Sequence, residues 1–249
     1  MLVGILTSNQ KRHKALASYV NYMGHDVFLI QEIPKTQNYE EGIVKYFIDV
    51  NEAEGSIFSG DKWTIGIENS HSIDKGLINQ VPKEVDLLLE CDVIVIFGSS
   101  LIKGQLFQKL STKKVINLHM GISPEYLGAA CNFWAMYDDN LQYVGGTIQT
   151  LSEKVDSGEI LKYSYPQEIT NNFNPVFFAM EAVRSTIIDA VVVLENLDSY
   201  LNKSIVPDSN RLIRHSKIAD FNAEVVKEIY IKTFNLDNLK LRNYLGSPK

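Results

Sequence analysis

The sequence predicts an α/β protein: a Rossmann-like, mostly parallel twisted sheet flanked by helices, followed by a short C-terminal extension. Three observations carry this. Apolar, β-rich runs of strand length recur at 1–7, 25–32, 92–97 and 114–118, separated by segments with helical spacing. The run Val93-Ile94-Val95-Ile96-Phe97 is apolar at every position, as a strand covered on both faces must be. The length of 249 residues, 45% hydrophobic and 22% charged, suffices for one sizeable domain with a small appendage.

The elements follow in order. Residues 1–7 read as the first strand. Ser8-Asn9 offers an N-cap, and Ala15, Leu16, Tyr19, Val20 and Met23 then repeat at helical spacing until Gly24. Residues 25–32 form the second strand of a βαβ rhythm. The stretch 35–83 is the least legible: a helix is expected at 40–50 and a short strand at 61–67, with His71 in a surface loop. The rhythm returns with a short helix at 83–89, the strand 92–97, a helix at 102–110 and a strand at 114–118. A short helix at 129–137 carries Phe133, Trp134 and Tyr137, read as core. Strands are expected at 143–151 and 159–165. A single long helix is expected at 175–201, with Pro175 in its first turn. Residues 202–217 are turn-rich and read as a hairpin, and 221–234 as a terminal helix. The expected division is a catalytic domain over 1–201 and an extension over 202–249.

Charge and motifs exclude several classes. The net charge of −6 argues against a general nucleic-acid binder. The charge is uneven: 202–249 holds nine Lys/Arg against five Asp/Glu, and the rest fifteen against twenty-five. That basic tail faces either a phosphate-bearing partner or simply solvent. No run reaches the roughly 20 apolar residues of a membrane span. The first residues look like a strand and not a leader peptide, and Cys91 and Cys131 cannot form a disulfide framework, so a cytoplasmic location is expected. Neither GxGxxG nor GxxxxGK[ST] is present, and no Cys pair or HExxH suggests zinc.

The chemistry-bearing residues concentrate in 115–161. A strand runs into His119, and Asn117, two residues earlier, leaves the same face. An amide and an imidazolium on one face form a two-donor set suited to the oxyanion of an acyl transfer. Asp156, in Asp156-Ser157-Gly158, follows after a helix and a strand that return the chain to the same sheet edge. A carboxylate there raises the imidazole pKa, orients the ring and accepts a proton. The intervening loop has Gly121 and Gly128, which permit close backbone approach. Gly98-Ser99-Ser100 follows the most buried strand, where a flat heterocycle can meet exposed backbone groups. Each has a plain structural alternative: a strand-end turn for Asn117, an ordinary turn for Asp156, a connector for the glycine loop, and a serine N-cap for Ser99-Ser100. Cys131, inside a helix, reads as a small apolar packer.

Taken together, Asn117-x-His119, Ser123-Pro124-x-Tyr126-x-Gly128 and Asp156-Ser157-Gly158 resemble the folate-dependent formyltransferase family. That family includes glycinamide ribonucleotide formyltransferase, methionyl-tRNA formyltransferase and the sugar-nucleotide N-formyltransferases. The resemblance is strongest over 92–161 and weaker over 1–32. Around 216–244 the chain looks like the short extension of small formyltransferases from surface-polysaccharide pathways. The resemblance implies the formyltransferase fold, a catalytic triad of Asn117, His119 and Asp156, and 10-formyltetrahydrofolate as formyl donor with no metal. The folate is then expected against Phe97, Gly98, Ser99, Ser100, Leu101, Ile102 and Val155, and the acceptor near Gly121, Ser123, Tyr126 and Gly128.

The sequence also departs from the family pattern. Gly121 replaces the usual serine of the loop, and the strand that often reads Thr-Ile/Val-His reads Thr147-Ile148-Gln149. The turn after the first strand lacks the purine enzyme's glycine-rich phosphate loop, and neither a large tRNA-binding domain after the fold nor a regulatory domain before it is expected. The expected partners are therefore small molecules, folate and an amine on a nucleotide-linked amino sugar, with no nucleic acid and no membrane. A homodimer contact is one expected use of the tail. The alternatives are a 10-formyltetrahydrofolate hydrolase, a non-catalytic folate- or nucleotide-binding protein, or an unrelated nucleotide-binding α/β domain. Acceptor contacts are expected from 35–61 and 171–174.

Overall fold

The computed structural model describes residues 1–35, 38–166, 173–237 and 239. Strands β1 (Leu2–Ser8) and β2 (Asp26–Ile33) pair in parallel through helix α1 (Lys11–Tyr22). Ser8 is the last residue of β1 and its Oγ donates to the Glu32 carbonyl, so it is not the helix cap; Gln10 takes that position without a side-chain bond.

The stretch that was hardest to read holds α2 (Glu41–Ile57), α3 (Asp61–Thr64) and the edge strand β3 (Ser70–Asp74). The strand expected at 61–67 is instead a helical turn after Gly60. The alternation Trp63, Ile65, Ile67 imitates a strand, but Trp63 is buried and stacks on Tyr19 with ring centroids 4.7 Å apart. His71 lies in β3, not in a loop. An edge strand exposes alternate residues, which is why its polar sequence resembles a loop.

Helix α4 (Glu84–Leu89), β4 (Val93–Phe97), α5 (Gly104–Leu110) and β5 (Val115–His119) follow as expected. Then come β6 (Tyr126–Gly128), α6 (Cys131–Tyr137), β7 (Gly146–Thr150) and β8 (Ile160–Ser164). Helix α7 (Pro175–Glu195) starts on an Asn174 side chain that accepts from the Val176 and Phe177 N–H groups. It stops at Asn196, whose φ of −128° leaves the helical range, and α8 (Leu197–Leu201) restarts. The single helix expected at 175–201 is therefore two.

The sheet order is β3-β2-β1-β4-β5-β7-β8; the first five strands are parallel, and β7 and β8 antiparallel. Residues of α1, α2 and α7 cover one face with Leu16, Val20, Ala53, Met180, Ile187 and Val191. Residues of α4 and α5 cover the other with Val85, Leu88, Leu106 and Leu110. Every residue of β4 is buried between them. The order reverses between β1 and β4, and the carboxyl ends of strands at such a point are where open α/β sheets place ligands.

The hairpin expected at 202–217 does not form. Ile205 bridges Ile160, and β9 (Arg214–Ser216) pairs in parallel with β6. Two ion pairs hold this return: Arg211 with the buried Glu125, and Arg214 with Asp138, two bonds of 2.8 and 2.6 Å. The Arg214 guanidinium also lies over the Trp134 ring at 4.5 Å. Helix α9 (Ala223–Ile231) then buries Val226 and Ile229 against α6 and α7. Residues 171–172 of the expected acceptor loop and 240–249 of the basic tail lie outside the described residues. No described helix is long and apolar enough to cross a membrane.

Because Arg214 combines a two-pronged ion pair with ring stacking at a half-buried site, Arg214→Leu is expected to lower stability by about 1–2 kcal/mol. Urea unfolding at neutral pH checks this, and an unchanged midpoint would remove β9 from the stabilising framework.

Candidate active site

Strand β5 delivers Asn117 and His119 to one face because side chains alternate along it. His119 is 7% exposed. Its Nδ1 lies 3.2 Å from Asp156 Oδ1, and its Nε2 lies 2.9 Å from the Tyr126 carbonyl. Both ring nitrogens thus face acceptors, the environment of a doubly protonated ring. Burial alone would push the imidazole pKa down, but the Asp156 carboxylate outweighs it and holds the pKa well above 6.5. Burial in turn would raise Asp156, and the His119 charge together with the Gly128 N–H keeps it below 3.8.

Asp156 is fixed from three sides. Its Oδ2 accepts from Gly128 N at 3.2 Å, its carbonyl accepts from Ser123 Oγ at 3.0 Å, and its backbone takes a left-handed φ of 52°. Ser123 is itself fully buried: its N–H donates to Thr147 Oγ1 and its carbonyl accepts from Tyr163 OH. Gly121 is required behind His119, since a Cβ there would stand 2.8 Å from His119 Nε2.

A cavity of about 410 Å³ opens over this group. It is lined by Asn117, His119 and Asp156, by the whole loop Phe97, Gly98, Ser99, Ser100, Leu101 and Ile102, and by Val155, Gly128 and Gln149. All the residues expected at the folate therefore share one cavity with the expected triad. Leu101, Val155 and Ile218 are exposed apolar side chains around it, a lining suited to a flat ring. The carboxamide of Asn117 makes no hydrogen bond to the described residues.

Of the expected acceptor contacts, Gly128 lines this cavity, whereas Gly121, Ser123 and Tyr126 do not. They lie behind it and position His119 and Asp156. A second cavity of about 450 Å³ meets the first at His119, Met120, Gly128, Ala129 and Ile218. Its walls are aromatic: Tyr39, Tyr46 and Phe47 from before and within α2, Phe133 from α6, and Phe221 beyond β9. Arg12 lies at its edge and is ion-paired with the buried Glu54. Among the described residues no group of three His, Cys, Asp or Glu is placed to hold a metal.

Sequence reasoning missed the groups that hold the 98–103 loop. Glu32, buried at the carboxyl end of β2, accepts from Gly76 N at 2.7 Å and from Ser100 N. Asn79 accepts from Lys103 N and donates to the Leu101 carbonyl. His13 packs on Phe97 at 4.7 Å directly beneath Gly98, where a Cβ would collide with it, and Gly98 has φ of 66°. A carboxylate ending a parallel strand was the available signal for Glu32.

Known proteins similar to this chain are formyltransferases. The formyl transferase family model matches residues 64–172. That stretch, under half of the chain, contains Asn117, His119 and Asp156. Methionyl-tRNA formyltransferase of Ehrlichia chaffeensis is 26% identical over 158 residues, covering 63% of this chain and 50% of that protein, so the chain matches about half of that relative's length. A 4-N formyltransferase from Francisella tularensis superposes with a TM-score of 0.54 at 17% identity, over 88% of this chain and 77% of that one. A formyltransferase from Anoxybacillus kamchatkensis, solved with UDP-4,6-dideoxy-4-formamido-L-AltNAc and tetrahydrofolate, superposes with a TM-score of 0.51 at 18% identity, over 96% and 97% of the two chains. At these identities the likeness of the two structures is one of fold.

The His119–Asp156 pair sets a pH signature. The raised pKa of His119 stabilises the fold fully below 6.5, and the gain is lost as pH rises through the folded value. The lowered pKa of Asp156 stabilises fully above 3.8, and that gain is lost as pH falls through its folded value. Asp156→Asn removes the carboxylate and leaves burial to dominate. The midpoint of the His119 ring proton in an NMR titration is expected to move from above 6.5 in the wild type to below it; a midpoint that stays put would exclude the pairing.

Proposed function

We propose that the protein transfers a formyl group from 10-formyltetrahydrofolate to a primary amine, and that the amine is carried by a nucleotide-linked amino sugar. The observation that carries this reading is the position of a charged His119, paired with Asp156, where two cavities meet. One cavity has the loop, the small residues and the apolar rim suited to a flat pterin, and the other provides a separate chamber for an acceptor. A hydrolase needs no second chamber of 450 Å³. Bound tetrahydrofolate and a nucleotide sugar in a protein of the same fold support the same pair of ligands.

The chemistry follows from the side chains. The amine lone pair attacks the formyl carbon and the carbonyl pair moves to oxygen. The free carboxamide of Asn117 donates to that oxygen, and the His119 imidazolium supplies positive charge beside it. Asp156 keeps the imidazolium charged and its ring oriented. As the oxyanion collapses, the bond from carbon to N10 of the folate breaks, the electron pair stays on N10, and a proton lost by the amine ends there. The balance closes without a covalent enzyme intermediate. Aromatic walls in the second cavity fit the apolar face of a deoxygenated sugar ring or a stacked base. We also assign Gly128 a role in lining both ligands, and the buried Gly121, Ser123 and Tyr126 a positioning role.

Incubation with 10-formyltetrahydrofolate and a panel of amino-sugar nucleotides is expected to release tetrahydrofolate only in the presence of one of the amines, whose mass rises by a formyl group. Release without any amine would establish a hydrolase instead. His119→Ala is expected to reduce turnover by about 10²- to 10³-fold or more while the protein stays folded. Gly98→Ala, which forces a side chain against His13 at a left-handed φ, is expected to weaken tetrahydrofolate binding by about tenfold or more in calorimetry. Unaltered binding would move the folate away from the 98–103 loop.

A further inference from the structure

Gln149 lines the first cavity and has no part in the chemistry proposed so far. It lies on β7 directly opposite Asn117 on β5, so the two carboxamides share one face of the sheet. The β7–β8 register slips between Ile148 and Gln149, a bulge of the kind that re-aims a side chain beside a site. Gln149 lines the cavity yet is 1% exposed, and its Oε1 is buried with no hydrogen-bond partner among the described residues. An acceptor oxygen left in that state calls for a donor from a ligand.

Formyl transfer supplies one. In the tetrahedral intermediate the attacking nitrogen carries positive charge and its N–H groups become strong donors. Those donors call for an acceptor oxygen beside the formyl carbon. His119 presents only N–H. Asp156 Oδ1 is taken by His119 and Oδ2 by Gly128 N. We propose that Gln149 is a further catalytic residue of this site: its Oε1 accepts an N–H of the attacking amine, turning the nitrogen lone pair toward the formyl carbon. This inference rests on the formyl-transfer reading. The carboxamide keeps no proton at the end, since its oxygen is far too weak a base. It holds the N–H while the lone pair forms the new C–N bond, and the proton then leaves for N10. Asn117 and Gln149 thus divide the work, one donating to the oxygen of the tetrahedral carbon and the other accepting from its nitrogen.

The test compares wild type, Gln149→Met and Gln149→Asn. Two amines serve as probes: a dTDP-linked 4-amino-4,6-dideoxyhexose, and hydroxylamine, which needs no acceptor chamber. Gln149→Met keeps the length and loses the acceptor. It is expected to lower kcat by about 10- to 100-fold with either amine. Its affinity for tetrahydrofolate, read by calorimetry, and its melting temperature are expected to stay near wild type. Gln149→Asn, with the carboxamide one methylene short, is expected to fall between the two. A Gln149→Met protein that keeps full kcat, or one that loses tetrahydrofolate affinity in step with activity, would overturn the assignment; the latter would place Gln149 on the folate. A wild type that accelerates release with neither amine would overturn the formyl-transfer reading and Gln149 with it. An active wild type beside an equally active Gln149→Met would overturn Gln149 alone.

Discussion

The structure turns on a buried charge pair. Taking an imidazolium and a carboxylate out of water costs several kcal/mol for each ion, and their attraction recovers this only when the geometry is tight and the remaining donors and acceptors are filled. Around His119 and Asp156 the Tyr126 carbonyl fills one ring nitrogen and the Gly128 N–H the second carboxylate oxygen, while the Ser123 hydroxyl holds the Asp156 main-chain carbonyl. These three partners all come from the segment between β5 and α6. That segment is in turn held by β9 on one side and by Thr147 and Tyr163 of the antiparallel strands on the other. The antiparallel edge of the sheet is thus a support for the charge.

The other wall of the first cavity is built on the opposite logic. Its loop, 98–103, carries no charge pair and uses backbone groups, which need to be held in place by others. Glu32, Asn79 and His13 do this from three different elements. His13 is buried and its pKa is pushed well below 6.5 by that burial and by Arg12 and Lys75 nearby, so it stays neutral against Phe97. Two histidines in the same protein are thus driven in opposite directions, one by a carboxylate at contact and the other by apolar burial and neighbouring cations.

How far the sequence could be read follows from the range of the forces involved. Residues 92–119 were legible because a strand covered on both faces writes itself as a continuous apolar run, and because Asn117 and His119 are related by the strand repeat alone. The 97–102 part of the first cavity was legible for the same reason, since it follows directly from one of those strands. The elements between 57 and 80 were not: Trp63 makes its contacts with Tyr19 and Phe58, partners that no local pattern reveals. The loop residues Ser123 and Tyr126 carried a recognisable motif, but burial, which decides whether a residue touches a ligand or holds up one that does, is a property of the whole fold. The parallel pairing of β6 with β9 was illegible in the same way, because three-residue strands lack a period to detect.

That pairing bears on how the protein comes into being. Ser216 Oγ bonds to the Leu127 carbonyl, 89 residues earlier in the chain. The five parallel strands need only the first 119 residues, so during synthesis the sheet can assemble while the carbonyl and N–H that hold the charge pair still lie on an unpartnered three-residue strand. The scaffold strands therefore leave the ribosome before β9, and the backbone that fixes the His119–Asp156 pair gains its partner strand only once residues 214–216 have emerged.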